Sequence, residues 1–177
     1  MWPRLWQTAR SEFPRGPRVL LYSHDTFGLG HLRRSRAIAI ALVEAYPDAS
    51  VLIVTGSPIV GRFDFPRGVD FVRVPGVVKL PSGDYATHNM SLDIADTTEL
   101  RRSIILDTAR SFAPDLLIVD KEPTGFRGEL LPTLELMRSR GSKIVLGLRD
   151  VLDEPDALST EWDRKNAVNA LEELYDD

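Results

Sequence analysis

The chain has 177 residues, of which 43% are hydrophobic and 27% charged, the composition of a folded domain of ordinary size rather than of a disordered segment. Its net charge of -4 at pH 7 argues against a nucleic-acid binder, because that class usually carries a concentrated basic surface. The absence of cysteine excludes disulfides, thiolate chemistry and cysteine-ligated zinc, and it fits a cytoplasmic protein.

Residues 1–17 are predicted to form a flexible leader ahead of the first strand. Prolines interrupt this segment and would break a helix, and it lacks the apolar stretch of a signal peptide. Its aromatic and cationic side chains leave open a peripheral contact with a membrane surface, through Trp2, Arg4, Trp6 and Arg10. No apolar run in the sequence approaches the roughly 20 residues that cross a bilayer.

From residue 18 onward, short apolar runs alternate with helical patterns. Strands are predicted at residues 18–23, 51–55, 70–74, 115–120 and 143–148. Helices are predicted at residues 31–46 and 93–112. A third helix is predicted to follow the turn at 121–125, to run through residue 137 and to end in Gly141. A last helix is predicted to begin near Ser159 or Thr160 and to bury Val168, Leu171 and Tyr175. The alternation indicates an α/β fold, namely a three-layer, doubly wound, Rossmann-like parallel sheet over residues 18–177.

Residues 75–91 are predicted to be a long loop, since prolines and glycines recur through them. A loop of this length inside a compact domain is uncommon and is often functional. His88 lies in it, but a single histidine is too little to assign a role.

Ligands of open parallel sheets bind at the carboxyl ends of the strands, so the residues after each strand are the candidates. Gly28, Leu29, Gly30 and His31 follow the first strand and open the first helix. Glycines let the backbone approach a ligand closely, and free helix amides suit an anion. A dinucleotide fingerprint would need a third glycine where Arg33 stands, and a P-loop would need Gly-Lys-Ser/Thr, so the loop fits neither.

His31 and Asp120 are the candidate catalytic pair. An imidazole can take a proton from a hydroxyl near neutral pH, and a carboxylate behind it fixes the tautomer. Asp120 ends the predicted fourth strand, which neighbours the first in a doubly wound sheet, and Glu122 follows in the turn. The alternatives are that His31 caps its helix and that Asp120 caps the turn after its strand.

Several arginines allow two interpretations. Arg149, after the fifth strand, could clamp a phosphate or carboxylate, or could form a surface ion pair with the acids that follow it. Arg33, Arg34 and Arg36 on the first helix could attract an anionic acceptor, or could lie on a solvated face.

The run VLLYSHDTFGLGHLRRSRAIA, residues 19–39, resembles the start of the GT-B glycosyltransferases that place a glycine-rich loop and a histidine after the first strand. It is most similar to predicted bacterial glycosyltransferases related to the lipid-II-forming N-acetylglucosaminyltransferase and to UDP-glycosyltransferases. The run DKEPTG, residues 120–125, also resembles sequences of this bacterial group. The order of the predicted strands resembles that of the family over most of the chain. The most specific part of the resemblance is the short Gly-Leu-Gly-His-Leu-Arg-Arg stretch.

The resemblance implies that the chain is the N-terminal, acceptor-side half of a GT-B fold. Its donor would be a nucleotide-sugar, of UDP type, held mainly by a C-terminal α/β domain that this chain lacks, with no cofactor and no metal. His31 would deprotonate a hydroxyl acceptor, with inversion favoured, and Asp120 would orient His31. Substrate contacts would come from the remaining candidates, namely Gly28, Leu29, Gly30, Glu122 and Arg149.

The isolated chain is therefore expected to be inactive and to be the front half of a longer protein. The alternative is a non-catalytic, acceptor-binding or anchoring module that pairs with a separate catalytic chain. A second α/β half encoded after residue 177 would favour the enzyme, and a stop codon there would favour the module.

Overall fold

The computed structural model describes residues 15–24, 29–148 and 167–176. Strands in these ranges are β1 Arg18–Ser23, β2 Ser50–Thr55, β3 Val69–Arg73, β4 Val77–Lys79, β5 Tyr85–Thr87, β6 Leu116–Asp120 and β7 Lys143–Gly147. Helices are α1 Gly30–Ala45, α2 Ile94–Phe112, α3 Leu131–Ser139 and α4 Ala167–Leu174, with short 3-10 turns at Val60–Arg62 and Phe126–Gly128.

Five strands form one parallel sheet, as the sequence predicts, and their order is β3-β2-β1-β6-β7. The chain winds outward from β1 through β2 to β3, then returns to the other side of β1 to build β6 and β7. Val19 pairs with Leu116 and Tyr22 with Val119, so β1 and β6 are the predicted neighbours. The winding reverses between them, and the crevice at their carboxyl ends is where open α/β sheets bind ligands.

Helices cover both faces of this sheet. Val19 and Leu21 of β1 pack on one face with apolar residues of α1. Leu20 and Tyr22 point to the other face, where they pack with α2 and α3. The alternation along β1 produces three layers with a core on each side, and each fully buried large side chain stabilises them by about 1.5–3 kcal/mol.

The predicted bounds of the first two helices are confirmed to within one residue, because breakers and caps define them. Asp93 is the N-cap of α2, and its carboxylate accepts a hydrogen bond from the amide of Asp96 at 2.8 Å. The helix ends at Ala113, in the left-handed conformation, before Pro114. Helix α1 ends just before Pro47.

The prediction of a long loop over residues 75–91 is wrong. Strands β4 and β5 form an antiparallel hairpin there, with Val77 opposite Thr87. Each strand is three residues long, too short for an alternating pattern to stand out among the prolines and glycines. The hairpin packs on the body of the domain, since the hydroxyls of Thr87 and Thr97 lie 2.8 Å apart and the ring of Tyr85 meets that of Phe126 at 4.9 Å.

The segment between β6 and α3 is longer and more irregular than predicted, so α3 begins only at Leu131. Positive φ angles recur at Lys121 (70°), Gly125 (71°), Arg127 (50°) and Gly128 (75°). At Gly125 a side chain would be strained, and its Cβ would also meet Cγ of Leu130 at 2.7 Å.

Several predictions at the chain ends lie outside the described residues, including the leader up to residue 14 and the start of the last helix near Ser159 or Thr160. Arg15 contacts the domain through Asp115, at 3.3 Å. Tyr175 is buried as predicted, and its hydroxyl donates to the carbonyl oxygen of Pro123 at 2.5 Å. Among the helices that the structure describes, none has the length and hydropathy needed to span a membrane.

Candidate functional site

His31 and Asp120 meet at the reversal point of the sheet. Nδ1 of His31 lies 2.5 Å from Oδ2 of Asp120, although 89 positions separate the residues in the chain. Asp120 is the last residue of β6, and His31 lies in the first turn of α1, which enters from the end of β1. The parallel pairing of β1 and β6 therefore brings the two side chains together, as expected from the sequence.

This contact selects one tautomer of the imidazole. A carboxylate only accepts hydrogen bonds, so the shared hydrogen is assigned to Nδ1 of His31. The neutral ring then keeps its lone pair on Nε2. The His31 side chain is 14% exposed and that of Asp120 is 7% exposed. Such a ring can take a proton through Nε2 while Asp120 stabilises the cation that forms.

Arg34 is the third member of this group. Its Nη1 donates to Oδ1 of Asp120 at 2.7 Å, so each carboxylate oxygen has its own partner. We refer to His31, Arg34 and Asp120 as the site cluster. The three predicted arginines thus point in different directions: Arg33 is exposed, and Arg36 donates to the carbonyl oxygen of Asp64 at 2.8 and 2.9 Å.

The two capping interpretations do not describe these contacts. Leu29 is the N-cap residue of α1, and among the described residues no side chain caps this helix end by a hydrogen bond. The turn after β6 is held by backbone bonds, from the amide of Glu122 to the Asp120 carbonyl and from that of Lys121 to Gly147. The imidazole of His31 and the carboxylate of Asp120 face each other instead.

His24 also belongs to this region, although the sequence reasoning assigned it no role. It follows β1, is 8% exposed, and its ring meets that of His31 edge-on with centroids 5.9 Å apart. Its position directly after an apolar strand was the only signal in the sequence. The contact restricts how the His31 ring can turn.

The start of α1 has features of an anion site. No acidic residue belongs to its first turn, so the helix itself places no negative charge at the positive end of its dipole. A Cβ added at Gly30 would meet no described atom within 4 Å, and its φ is not in the left-handed region. Packing among the described residues therefore does not require glycine at position 30. A ligand that lay close to the backbone here would require it, because a side chain would then be in the way.

Two buried hydroxyls lie at the same edge of the sheet. Ser23 ends β1 and is 1% exposed, while Ser57 follows β2 and is 2% exposed. Neither hydroxyl has a hydrogen-bond partner in the structure. Buried polar groups are usually paired, so these two hydroxyls are exceptions among the described residues.

The remaining predicted site residues are distributed as follows. Leu29 and Gly30 directly precede His31, and Glu122 is buried two residues after Asp120. Gly28 and Arg149 lie outside the described residues. Within the described ranges, His, Asp and Glu form no group of three or more that could hold a metal ion.

A second ionic group, buried behind the first, was missed. Arg101 donates from Nε and Nη2 to both oxygens of Glu129 at 2.6 Å, and the hydroxyl of Tyr22 donates to Oε1 at 2.7 Å. We refer to these three as the buried cluster. Arg101 also donates to the carbonyl of Pro75, and the Phe126 amide donates to the Tyr22 hydroxyl. The cluster thus joins β1, α2 and the segments before β4 and after β6.

Burial and contact shift the pKa values in this cluster. Burial, and then the charge of Glu129, raise the pKa of Tyr22 well above its ordinary value. Burial is the largest influence on Arg101 and by itself would lower its pKa. The hydrogen bonds to Glu129, the charge of Glu129 and the contact with Tyr22 together outweigh burial and hold that pKa above its ordinary value. A sequence signal existed for Arg101, since it lies four residues before Ile105 and eight before Ala109, both on the buried face of α2.

Neither the protein-family models nor the curated proteins with which the chain was compared match it. The function must therefore be inferred from the site itself.

Proposed function

We propose that the chain is the acceptor-side half of a glycosyltransferase, with His31 as its general base. Such an enzyme moves a sugar from a nucleotide-sugar, of UDP type, to a hydroxyl acceptor. The observation that carries the proposal is the 2.5 Å contact of His31 with Asp120 at the reversal point of the sheet. A buried carboxylate behind an imidazole is the arrangement that lets histidine activate a hydroxyl.

The proposed step is a direct displacement at the anomeric carbon. The acceptor hydroxyl donates to Nε2 of His31, and its proton passes to that atom as the oxygen attacks. The new carbon–oxygen bond forms while the bond to the diphosphate breaks, and the nucleoside diphosphate leaves with the electron pair. Attack opposite the leaving group inverts the configuration. Asp120 then faces an imidazolium, whose charge it stabilises.

The leaving diphosphate gains negative charge, and the start of α1 is suited to receive part of it. Free amides at a helix N-terminus bind phosphate, and Gly30 would allow close approach. A second α/β domain would hold most of the donor. On this proposal no metal is needed at the leaving group, and residues 1–177 alone have negligible activity.

A turnover assay tests this proposal. The full-length protein with its second domain is incubated with a panel of UDP-sugars and mixed hydroxyl acceptors, and sugar transfer is followed by mass spectrometry. His31→Ala should abolish most of the transfer. His88→Ala is the matched control, because His88 is exposed and its ring bonds only to the adjacent Asn89 among the described residues. Equal transfer by both variants would remove His31 as the base, whereas no transfer by the unsubstituted protein would favour the non-catalytic, acceptor-binding module.

A further inference from the structure

Asp120 is shared between two side chains of one helix. His31 and Arg34 lie three residues apart on α1, so they project from neighbouring turns toward the same carboxylate. Oδ2 of Asp120 faces His31 at 2.5 Å and Oδ1 faces Arg34 at 2.7 Å. The Asp120 side chain is only 7% exposed, whereas that of Arg34 is 36% exposed.

This sharing solves an electrostatic problem of the proposed base. A general base must be neutral before it takes a proton, so it cannot then compensate the charge of Asp120. A carboxylate removed from water is costly unless it is paired. Without a second partner, Asp120 would favour the charged imidazolium and leave the base already occupied.

Arg34 supplies that second partner. Its guanidinium stays charged at any pH that a protein tolerates, so it compensates Asp120 whether His31 is neutral or charged. Its bond to Oδ1 also limits rotation of the carboxylate, which leaves Oδ2 directed at Nδ1 of His31.

We propose that Arg34 is a positioning residue of the site: by neutralising and orienting Asp120, it keeps His31 neutral with its hydrogen on Nδ1. The inference rests on the proposed function, under which the neutral ring is the working base. Arg33, one position earlier, is exposed, and Arg36 is bound to the Asp64 carbonyl, so neither takes this role.

Other titratable groups around His31 must be followed in the same experiment. His24 contacts the His31 ring edge-on, and it follows β1. Glu122, in the turn after β6, is buried two residues from Asp120. Both are unchanged in every variant below, and the spectra report His24 directly.

The test is nuclear magnetic resonance of the imidazole nitrogens and carbons in the 177-residue chain. The chain has three histidines, which makes assignment simple. Arg34→Gln should raise the ratio of charged to neutral His31 at pH 7 by about threefold to fivefold, the upper range of the effect of one partly exposed ion pair. The matched control is Arg33→Gln, which removes the same charge one residue earlier, and it should change the ratio less than about twofold.

Two further variants separate charge from geometry. Arg34→Lys keeps the charge and should return the ratio to within about twofold of the unsubstituted protein. Arg34→Met, which keeps the apolar stem, replaces the glutamine variant if that one does not fold. Equal ratios in the Arg34→Gln (or Arg34→Met) and Arg33→Gln proteins, or an Arg34→Lys ratio like that of Arg34→Gln, would overturn the proposal.

Turnover supplies an independent readout in the full-length protein. Arg34→Gln should lower kcat with little change in KM, and the loss should shrink as pH rises and His31 returns to its neutral form. A merely structural role predicts a loss that does not depend on pH, and that result would also overturn the proposal. If His31→Ala keeps full turnover while Arg34→Gln still changes the charge of His31, the proposed function fails and the coupling of Arg34 to His31 stands.

Discussion

The site cluster and the buried cluster use similar groups in different surroundings. Each joins an arginine and a carboxylate to a third side chain that can carry a proton. In the buried cluster the carboxylate is 0% exposed and the arginine 2%. In the site cluster the carboxylate is 7% exposed and the arginine 36%.

The two clusters also differ in what they leave available. Both oxygens of Glu129 and the hydroxyl of Tyr22 are committed within the buried cluster. His31, in contrast, uses Nδ1 for Asp120, and its side chain is 14% exposed. A fully buried ionic group holds helices and strands together, whereas a partly exposed one can exchange a proton with a ligand. We therefore expect the site cluster to control turnover and the buried cluster to control stability.

The largest effect is expected from the base. Under the proposed function, His31→Ala in the full-length protein should lower kcat by roughly 10²–10⁴, the usual contribution of a general base. His31→Gln should not restore activity, because an amide forms hydrogen bonds but cannot take the proton. Measuring kcat and melting temperature on the same samples checks this. A folded His31→Ala enzyme with near-normal turnover would remove the base assignment.

Loss of the buried carboxylate should act on stability instead. Glu129→Ala leaves Arg101 as a buried, unpaired cation, and breaking such a pair costs about 3–5 kcal/mol of unfolding free energy. The matched control is Glu99→Ala, since Glu99 pairs with Arg102 on the exposed side of α2 and is 62% exposed. That change should cost less than about 1 kcal/mol. Urea unfolding measures both, and equal costs would contradict the contrast between the two clusters.

A smaller effect on turnover is expected from the partner of the base. Asp120→Asn keeps the shape but loses the charge that orients and stabilises the His31 ring, so kcat should fall, by less than His31→Ala causes. Combined with His31→Ala, the loss should be less than additive, because the two residues act as a unit. Kinetics of the two single variants and the double variant test this. Strictly additive losses would mean that Asp120 acts independently of His31.

The smallest effect concerns alkaline pH. The pKa of Tyr22 is raised in the folded state, so the hydroxyl stays protonated there after it ionises in the unfolded chain. The contribution of Tyr22 to the free energy of unfolding is therefore fully present below about pH 10, the pKa of tyrosine in the unfolded chain. As pH rises further, this contribution is lost by about 1.4 kcal/mol per pH unit. Tyr22→Phe removes this proton, so the free energy of unfolding should fall less steeply with pH, by about 1.4 kcal/mol per pH unit. Urea unfolding between pH 9 and about 11 measures the slope, and an unchanged slope would contradict the burial of a protonated Tyr22.

The parallel sheet could be predicted because its strands are continuous apolar runs bounded by breakers. The run at residues 51–55, for example, is closed by Gly56, Ser57 and Pro58. The contact of His31 with Asp120 followed from the same prediction, since it requires only that β1 and β6 are neighbours. The β4–β5 hairpin could not be predicted, because strands of three residues carry too little pattern.

The sequence by itself determined the α/β class, the order along the chain of the helices and of the five parallel strands, and the edge at which polar residues gather. These depend on the spacing of apolar residues and on local breakers, which act over a few positions. Only the tertiary structure decided that Arg34 binds Asp120, 86 positions away, and that Arg101 binds Glu129, 28 positions away. Such pairs depend on how the elements stack, because a charged residue in a local pattern does not indicate which opposite charge packing will bring within 3 Å.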